Sequence, residues 1–184
     1  MTRPVGRSGR ILLILLAAVA VLSVLAAGSA AAQEVVSDNT ATGNQDANCD
    51  DRTVDHQDIQ DAVDAASPGD TIIVCPGVYE EAVVVDKRVR IVADNPETTV
   101  DTERSVLRDV GGNGTAFAVQ ADDVSVEGFS VRNYSSAGVL ADGTVTGVSG
   151  LTVNRSAIED SGAGVLLSAD GTTVSNTTDR KSVV

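Results

Sequence analysis

The sequence predicts an all-β fold, a right-handed parallel β-helix with a short N-terminal capping α-helix. Only one stretch, at about residues 55–66, has a helical pattern, and short runs of β-branched residues fill the chain after it. A short unit also repeats, beginning at Phe117, at Ala137 and at Ala163. Asn or Asp recurs at the ends of the copies, which is typical of tight turns between short strands.

The first 32 residues have the three parts of a secretory signal peptide. Arg3, Arg7 and Arg10 precede the apolar run 11–27, and small residues follow up to Ala32. We expect cleavage after Ala32, export by the general secretory route, and no membrane span in the mature chain. An uncleaved N-terminal anchor is the alternative, because the apolar run is barely long enough to span a bilayer.

Residues 33–52 are polar and rich in Asn, Asp and Thr, which is typical of a flexible lead-in. The chain has two cysteines, Cys49 and Cys75. Outside the cell two cysteines are more often paired than free, so the sequence predicts a disulfide between them. Two buried free thiols are the alternative.

The domain itself is expected over residues 53–178, and its first element is the helix at 55–66. One face of this helix is apolar, formed by Ile59, Ala62, Val63 and Ala66. Asp55 and Asp58 place acids at its positive end, and the segment 67–70, Ser-Pro-Gly-Asp, stops it. We expect the helix to cover the exposed N-terminal end of the β-helix.

Downstream of the helix the repeats define the coils. The Ala-Asp pairs that end at residues 122, 142 and 170 are 20 and 28 residues apart. Such a unit holds about three short strands, and stacking coils about 4.8 Å apart buries the inward side chains that one coil leaves exposed. The predicted repeat turn residues are Asp94, Asp122, Asn133, Asp142, Asp160 and Asp170. An antiparallel β-sandwich is the alternative, because two Asp-Gly pairs could turn hairpins.

Residues 179–184 are expected to be a non-native tail. Their sequence, Asp-Arg-Lys-Ser-Val-Val, is what a common short-read sequencing adapter encodes in one reading frame. They also contain one of only two lysines in the chain. We therefore expect the natural protein to continue beyond Thr178.

The composition excludes one class of partner and indicates an environment. Acidic residues outnumber basic ones by 26 to 13, and the net charge of -13 excludes nucleic-acid binding, which needs a positive surface. Aromatic residues make up 2% of the chain, so little material exists for stacking on bases or sugars. The Asp-rich, Lys-poor charge is similar to that of secreted proteins of halophilic archaea, whose acidic repulsion is screened by salt. An ordinary acidic protein is the alternative.

Residues 59–92 resemble the start of pectin-lyase-like right-handed parallel β-helix proteins. The resemblance is carried by the segment 59–74, which includes Ser-Pro-Gly-Asp, and by the segment 76–81, Pro-Gly-Val-Tyr-Glu-Glu. NosD-type periplasmic copper-binding β-helix proteins, archaeal surface proteins and pectin methylesterases share this start. The resemblance implies the fold and says little about activity.

The sequence assigns no catalytic residue, no metal ligand and no cofactor. An esterase of this superfamily needs Gln and Asp in its central coils, and Gln120 is the last Gln of the chain. A lyase needs carboxylates around Ca²⁺ and an Arg base, for which Arg132 or Arg155 and five acids are the available material: Asp122, Asp123, Asp142, Asp160 and Asp170. Because Asp is common throughout the chain, turn and surface roles are the favoured interpretation of these residues. Copper binding needs soft or imidazole ligands, and His56 is the one histidine.

Four Asn-x-Ser/Thr sequons are candidate N-glycosylation sites in an exported chain. They begin at Asn113, Asn133, Asn154 and Asn176. Chance is the alternative, because Asn, Ser and Thr are frequent in the turns of such a fold.

These observations favour an exported, non-catalytic module, secreted or at the cell surface, that binds or displays against an extracellular polysaccharide or a surface protein. The first alternative is a carbohydrate-active enzyme, a polysaccharide lyase or a pectinesterase-like protein, whose catalytic coils lie beyond residue 178. The second is a NosD-type accessory protein that handles copper.

Overall fold

A computed structural model of the chain describes residues 32–37, 49, 54–94, 105–109, 114–141 and 147–180. The predicted signal peptide up to residue 31, most of the lead-in, the sequon residue Asn113, the turn residue Asp142 and residues 181–184 lie outside the described residues. Within these ranges no helix is long and apolar enough to cross a membrane.

The described residues form one helix and fifteen short strands. In chain order they are β1 (Glu34–Ser37), α1 (Ile59–Ala65), β2 (Thr71–Val74), β3 (Gly77–Tyr79), β4 (Val83–Val85), β5 (Arg90–Ala93), β6 (Ser105–Arg108), β7 (Thr115–Val119), β8 (Ser125–Glu127), β9 (Ser130–Arg132), β10 (Ala137–Ala141), β11 (Thr152–Asn154), β12 (Ala157–Glu159), β13 (Ala163–Leu167), β14 (Thr173–Ser175) and β15 (Thr178–Arg180). Each strand has three to five residues, as the β-branched runs of the sequence predict.

The strands form three sheets, and every pairing between the described strands is parallel. Sheet A has the order β1-β2-β5-β8-β11-β14, sheet B the order β3-β6-β9-β12-β15, and sheet C the order β4-β7-β10-β13. From β2 onward the chain passes through sheets A, B and C in rotation, so each circuit adds one strand to each sheet. The prediction of an all-β fold with short parallel strands is confirmed, and the antiparallel alternative is wrong for these residues.

The core lies between the three sheets and is continuous along the circuits. In sheet A the register stacks Ile91, Val126 and Val153, all of which are buried. All four aromatic residues of the chain are also buried, and the Phe117 and Phe129 rings pack edge to face with centroids 5.1 Å apart. Stacking thus gives each circuit the apolar burial that it lacks alone.

Left-handed turn residues stack where the chain passes from sheet B to sheet C. Asn133 and Asp160 adopt φ values of 65° and 52°. Asn and Asp tolerate this conformation better than most residues, which explains their recurrence in the sequence. The two turns are joined because the Asn133 backbone N–H donates to the Glu159 carbonyl at 3.2 Å.

Other predicted turn residues lie next to the left-handed position. Asp122 and Asp170 each precede it, since the residues with positive φ are Asp123 (54°) and Gly171 (65°). Asp94 follows β5, and its backbone N–H donates to the end of β2 at 2.8 Å. Asp122 and Asp170 therefore lie one position before the left-handed residue of their turns.

The helix is shorter than predicted, and a distant acid caps it. α1 begins at Ile59 rather than near residue 55, because Asp55 accepts a hydrogen bond at 3.1 Å from the backbone of β1. Asp58 is the N-cap residue and makes no side-chain cap. Instead the two carboxylate oxygens of Glu81 accept from the first two backbone N–H groups of α1, at 2.8 and 2.9 Å.

The predicted disulfide between Cys49 and Cys75 is present. With Val36, the two cysteines form a small buried cluster that is separate from the main core. Cys75 directly follows β2, and the Tyr79 hydroxyl donates to the Cys75 carbonyl at 2.9 Å. The disulfide therefore fixes the segment before α1 to the first circuit.

Gln60 on α1 protects the free edge of sheet C. Its carboxamide oxygen accepts from the Val84 N–H at 2.7 Å, and its carboxamide nitrogen donates to the Val84 carbonyl at 3.3 Å. Because β4 is the edge strand, the side chain occupies the place of a neighbouring strand.

We expect Gln60→Ala to lower the free energy of unfolding by about 0.5 to 1 kcal/mol, the net value of such hydrogen bonds, and to promote self-association through β4. Urea unfolding and light scattering at molar salt measure the two effects. Gln57→Ala, at an exposed position before the helix, is the matched control and should change neither. Equal scattering from the two variants would contradict the role of Gln60.

Candidate functional site

The candidate site is the polar face of sheet A, defined here by the outward polar side chains of β5, β8 and β11 and the residue after β11. These residues are Arg90, Ser125, Glu127, Thr152, Asn154 and Arg155. They face outward because Ile91, Val126 and Val153, which alternate with them, are buried. The parallel register places Arg90, Ser125 and Thr152 in one row, and in the next row it places Glu127 between Asn154 and Val92, the apolar outward residue of β5.

Glu127 is the centre of the polar face. Arg90 approaches its carboxylate with two nitrogens, Nε at 2.9 Å and Nη2 at 3.0 Å. Arg155 reaches the same carboxylate from the next circuit at 3.2 Å, and the Ser125 hydroxyl donates to it at 2.9 Å. The Glu127 side chain is 12% exposed, whereas those of Arg90 and Arg155 are 48% and 37% exposed. The guanidinium groups are therefore the solvent-facing part of the arrangement.

The electrostatics keep Glu127 ionised. Burial alone would raise the pKa of its carboxyl group, but the hydrogen bonds from Arg90, Ser125 and Arg155 outweigh burial and lower that pKa. The two guanidinium groups and one carboxylate leave a net positive charge on this face of a chain whose net charge is -13. The face can accordingly donate hydrogen bonds to acceptors on a ligand.

We expect Glu127→Gln to lower the free energy of unfolding at neutral pH by about 0.5 to 1 kcal/mol, because it unpairs two arginines. Since the folded-state pKa of Glu127 is lowered, its stabilisation is present above the ordinary value of 4.5 and is lost as the pH falls through the lower, folded value. The difference between wild type and variant should therefore shrink in acid. A difference that stays constant in urea unfolding curves from about pH 7 to about pH 3 would show that Glu127 is not held ionised by its partners.

The acids that could serve a lyase-type Ca²⁺ site lie on two different sets of turns, and Asp122, Asp123 and Asp170 share the turns between sheets C and A. Asp122 accepts from the Ser149 N–H at 2.7 Å and from its hydroxyl at 2.9 Å, on the turns between sheets C and A. Asp160 lies on the turns between sheets B and C, and Asp142 is outside the described residues. Among the described residues no three His, Cys, Asp or Glu side chains are grouped as metal ligands would be. Of the two candidate bases, Arg155 contacts Glu127 and Arg132 contacts Glu159 at 3.3 Å.

The polar residues of the 59–81 motif stabilise the N-terminal end of the fold. Both oxygens of Asp70 accept backbone hydrogen bonds, from Gln33 at 2.8 Å and from Ser67 at 2.7 Å. Burial raises the pKa of Glu81 despite its two bonds to α1. The buried Tyr134 hydroxyl donates to the Glu81 carbonyl, and burial raises the pKa of this phenol as well.

Three sequon residues are described, and they lie at different places. Asn154 belongs to the polar face, where its side-chain oxygen accepts from Ser175 and Asn176, each at 3.2 Å. Asn176 follows β14 and is exposed. Asn133 lies on the turn between sheets B and C, away from the polar face.

Sequence reasoning did not find the polar face, although one signal was available. Aligning the buried positions Ile91, Val126 and Val153 places Arg90 and Glu127 on neighbouring strands and Arg155 directly after the next strand. Comparison of the chain with protein families, with curated proteins and with solved structures yields no match.

Proposed function

We propose that this chain is an exported right-handed parallel β-helix, of the pectin-lyase-like kind, that acts as a non-catalytic binding module in the secreted or cell-surface compartment. Its ligand is an extracellular polysaccharide, bound on the polar face of sheet A. The disulfide supports export, as does the order of arginines, apolar run and small residues in the first 32 positions.

The rotation of the chain through three parallel sheets supports the β-helix. From β5 onward each strand pairs with the strand that comes three strands earlier in the chain, as between β5 and β8 or between β8 and β11. Stacked circuits of this kind form a rigid rod whose length grows with the number of repeats. Such a rod suits display of a binding face.

The single observation that carries the non-catalytic role is the pairing of Glu127 with Arg90 and Arg155. A general acid or base must reach the substrate and exchange a proton near the working pH. The carboxylate of Glu127 is 12% exposed, is bonded to three side chains and has a lowered pKa, so it serves neither purpose. Glu81, whose pKa is raised, has both oxygens bonded to the backbone of α1.

The regular spacing of the polar face supports a polysaccharide ligand. Ser125 and Thr152 lie on adjacent strands about 4.8 Å apart, and beside them the guanidinium groups of Arg90 and Arg155 both contact Glu127. A polymer of similar units presents acceptors at regular intervals to such a surface. Because all four aromatic side chains are buried, recognition depends on hydrogen bonds and charge rather than on ring stacking.

The test is binding of the mature chain, in molar KCl, to a panel of neutral, uronate-containing and sulfated polysaccharides. We expect at least one class to bind and the double variant Arg90→Gln/Arg155→Gln to weaken that binding by about 10-fold or more, the loss of one or two charge-assisted hydrogen bonds. The matched control, Arg108→Gln/Arg180→Gln, removes the same charge from sheet B and should bind like wild type.

The same samples are assayed for new reducing ends and for unsaturated products. Turnover of any bound polysaccharide would overturn the non-catalytic role and favour the lyase or esterase alternative. Binding that is lost equally in both double variants would show that net charge, and not the polar face, holds the ligand. A surface-layer protein is tested beside the panel, and binding to this protein alone would identify the partner as a protein.

A further inference from the structure

Asn133 has the geometry of an accessible modification site. It lies in the exposed left-handed turn after β9, where its backbone N–H is bonded to the Glu159 carbonyl at 3.2 Å. Its carboxamide has no hydrogen-bond partner among the described residues. Ser135, the hydroxyl residue of the same sequon, is also exposed. Tyr134 between them is buried and fixes the turn.

The sequon at Asn154 has the opposite geometry. Its hydroxyl residue Ser156 is 5% exposed, and the hydroxyl donates to the Asn154 carbonyl at 3.1 Å while it accepts from the Phe129 N–H at 3.3 Å. The side-chain oxygen of Asn154 is itself bonded to Ser175 and Asn176. The Asn154 side-chain oxygen and the Ser156 hydroxyl are therefore both bonded within the fold.

The third described sequon is partly engaged. Asn176 is exposed, but its side-chain nitrogen, the atom that would be modified, donates to Asn154 at 3.2 Å. Modification there would also place a bulky group beside the polar face. Of the three described sequons, only that at Asn133 has an exposed side-chain amide and an exposed hydroxyl. Neither group has a hydrogen-bond partner among the described residues.

We infer that Asn133 is the principal N-glycosylation site among the three described sequons, an inference that rests on the export assigned under the proposed function. In the transfer, the Asn133 side-chain nitrogen forms a bond to the anomeric carbon of a lipid-linked glycosyl phosphate. The bond between that carbon and the phosphate oxygen breaks, the lipid phosphate leaves with the electron pair, and the amide proton passes to a base of the transferring enzyme. The exposed Ser135 completes the sequon for that enzyme.

A glycan at this position leaves the polar face free. Asn133 lies where sheet B passes into sheet C, whereas the polar face belongs to sheet A. A hydrophilic group at Asn133 therefore shields the side of the rod that does not bind the polysaccharide. The modified chain should bind its ligand as the unmodified chain does.

The experiment expresses the full chain, with its leader, in a secreting host that glycosylates a sequon-bearing reporter protein. Glycopeptides of the exported chain are then analysed by mass spectrometry. We expect a glycan on Asn133 and an unmodified Asn154. Asn133→Asp keeps a residue that the stacked turn accepts, as Asp160 shows, and should abolish the mass shift. Ser135→Ala should abolish it too, while the neighbouring Ser136→Ala retains it.

Two results would overturn the inference. One is an exported chain whose Asn133 is unmodified while the reporter is glycosylated. The other is higher occupancy at Asn154 or Asn176 than at Asn133. These outcomes are separate from failure of the proposed function, which would show as a chain that stays in the cell or as an exported chain that binds no polysaccharide.

Discussion

Removal of the disulfide between Cys49 and Cys75 is expected to lower the free energy of unfolding by about 3 to 4 kcal/mol. The two cysteines are 26 residues apart, so the bond closes a loop that the unfolded chain otherwise samples freely. In the folded state the bond holds the segment before α1 against the end of β2, where the cysteines and Val36 form their own cluster. Without the disulfide, only the apolar contacts of Val36 and residues 49 and 75 hold this cluster together.

The measurement is urea unfolding at molar salt of wild type and of Cys49→Ala/Cys75→Ala, each with and without reductant. Reductant should lower wild type close to the level of the double variant and should leave the variant unchanged. A loss of unfolding free energy below about 1 kcal/mol would show that the segment before α1 is held by other contacts, or that the reduced unfolded chain is already compact.

Local features of the fold could be predicted from the sequence because their causes are local. Asn133 and Asp160 adopt the left-handed conformation that Asn and Asp tolerate, and that preference belongs to single residues. The short β-branched runs likewise become strands, since alternation of side chains needs only neighbours along the chain. Repeats of such units indicate stacking before any contact between them is known.

The helix cap and the polar face depend on register between distant residues, so the sequence pattern did not reveal them. Glu81 caps α1 from 22 residues away, while the nearer acids Asp55 and Asp58 do not. Glu127 meets Arg90 across 37 residues and Arg155 across 28. The spacing of the circuits is irregular, and one unpaired residue more or less in a turn would separate these charges. Only the stacked register brings them together.

The register of sheet B also shows one residue that does not fit its place. The inward column runs through Leu107, Val131 and Ile158, all buried, and the next position is Asp179. The neighbouring glycines leave room for a large side chain there. A Cβ on Gly138 would lie 2.7 Å from Ile158, and a Cβ on Gly164 would lie 2.8 Å from Asp179.

Asp179 is the first residue of the predicted non-native tail, and that origin stays a prediction. The next residue, Arg180, lies in register with Glu159, so the tail is not uniformly mismatched. What the geometry does show is a charged side chain at the end of an apolar column, in a circuit whose Leu167 and Val174 are also partly exposed. An inward charge on an edge strand opposes both burial and edge-to-edge association.

Asp179→Ile is therefore expected to raise the free energy of unfolding by about 1.5 kcal/mol, near the lower limit for burial of such a side chain, because only one side of it is covered by Ile158. The same change should increase self-association in light scattering, since it removes the charge from the edge of sheet B. Asp179→Asn separates the two causes, because it removes the charge without adding apolar surface and should give a much smaller gain in stability. In the background of Gly164→Val the gain should disappear, because the valine occupies the space that Gly164 leaves for residue 179. Urea unfolding that shows equal stability for wild type and Asp179→Ile would mean that the last circuit is not stacked on β12, and the apolar column would then end at Ile158.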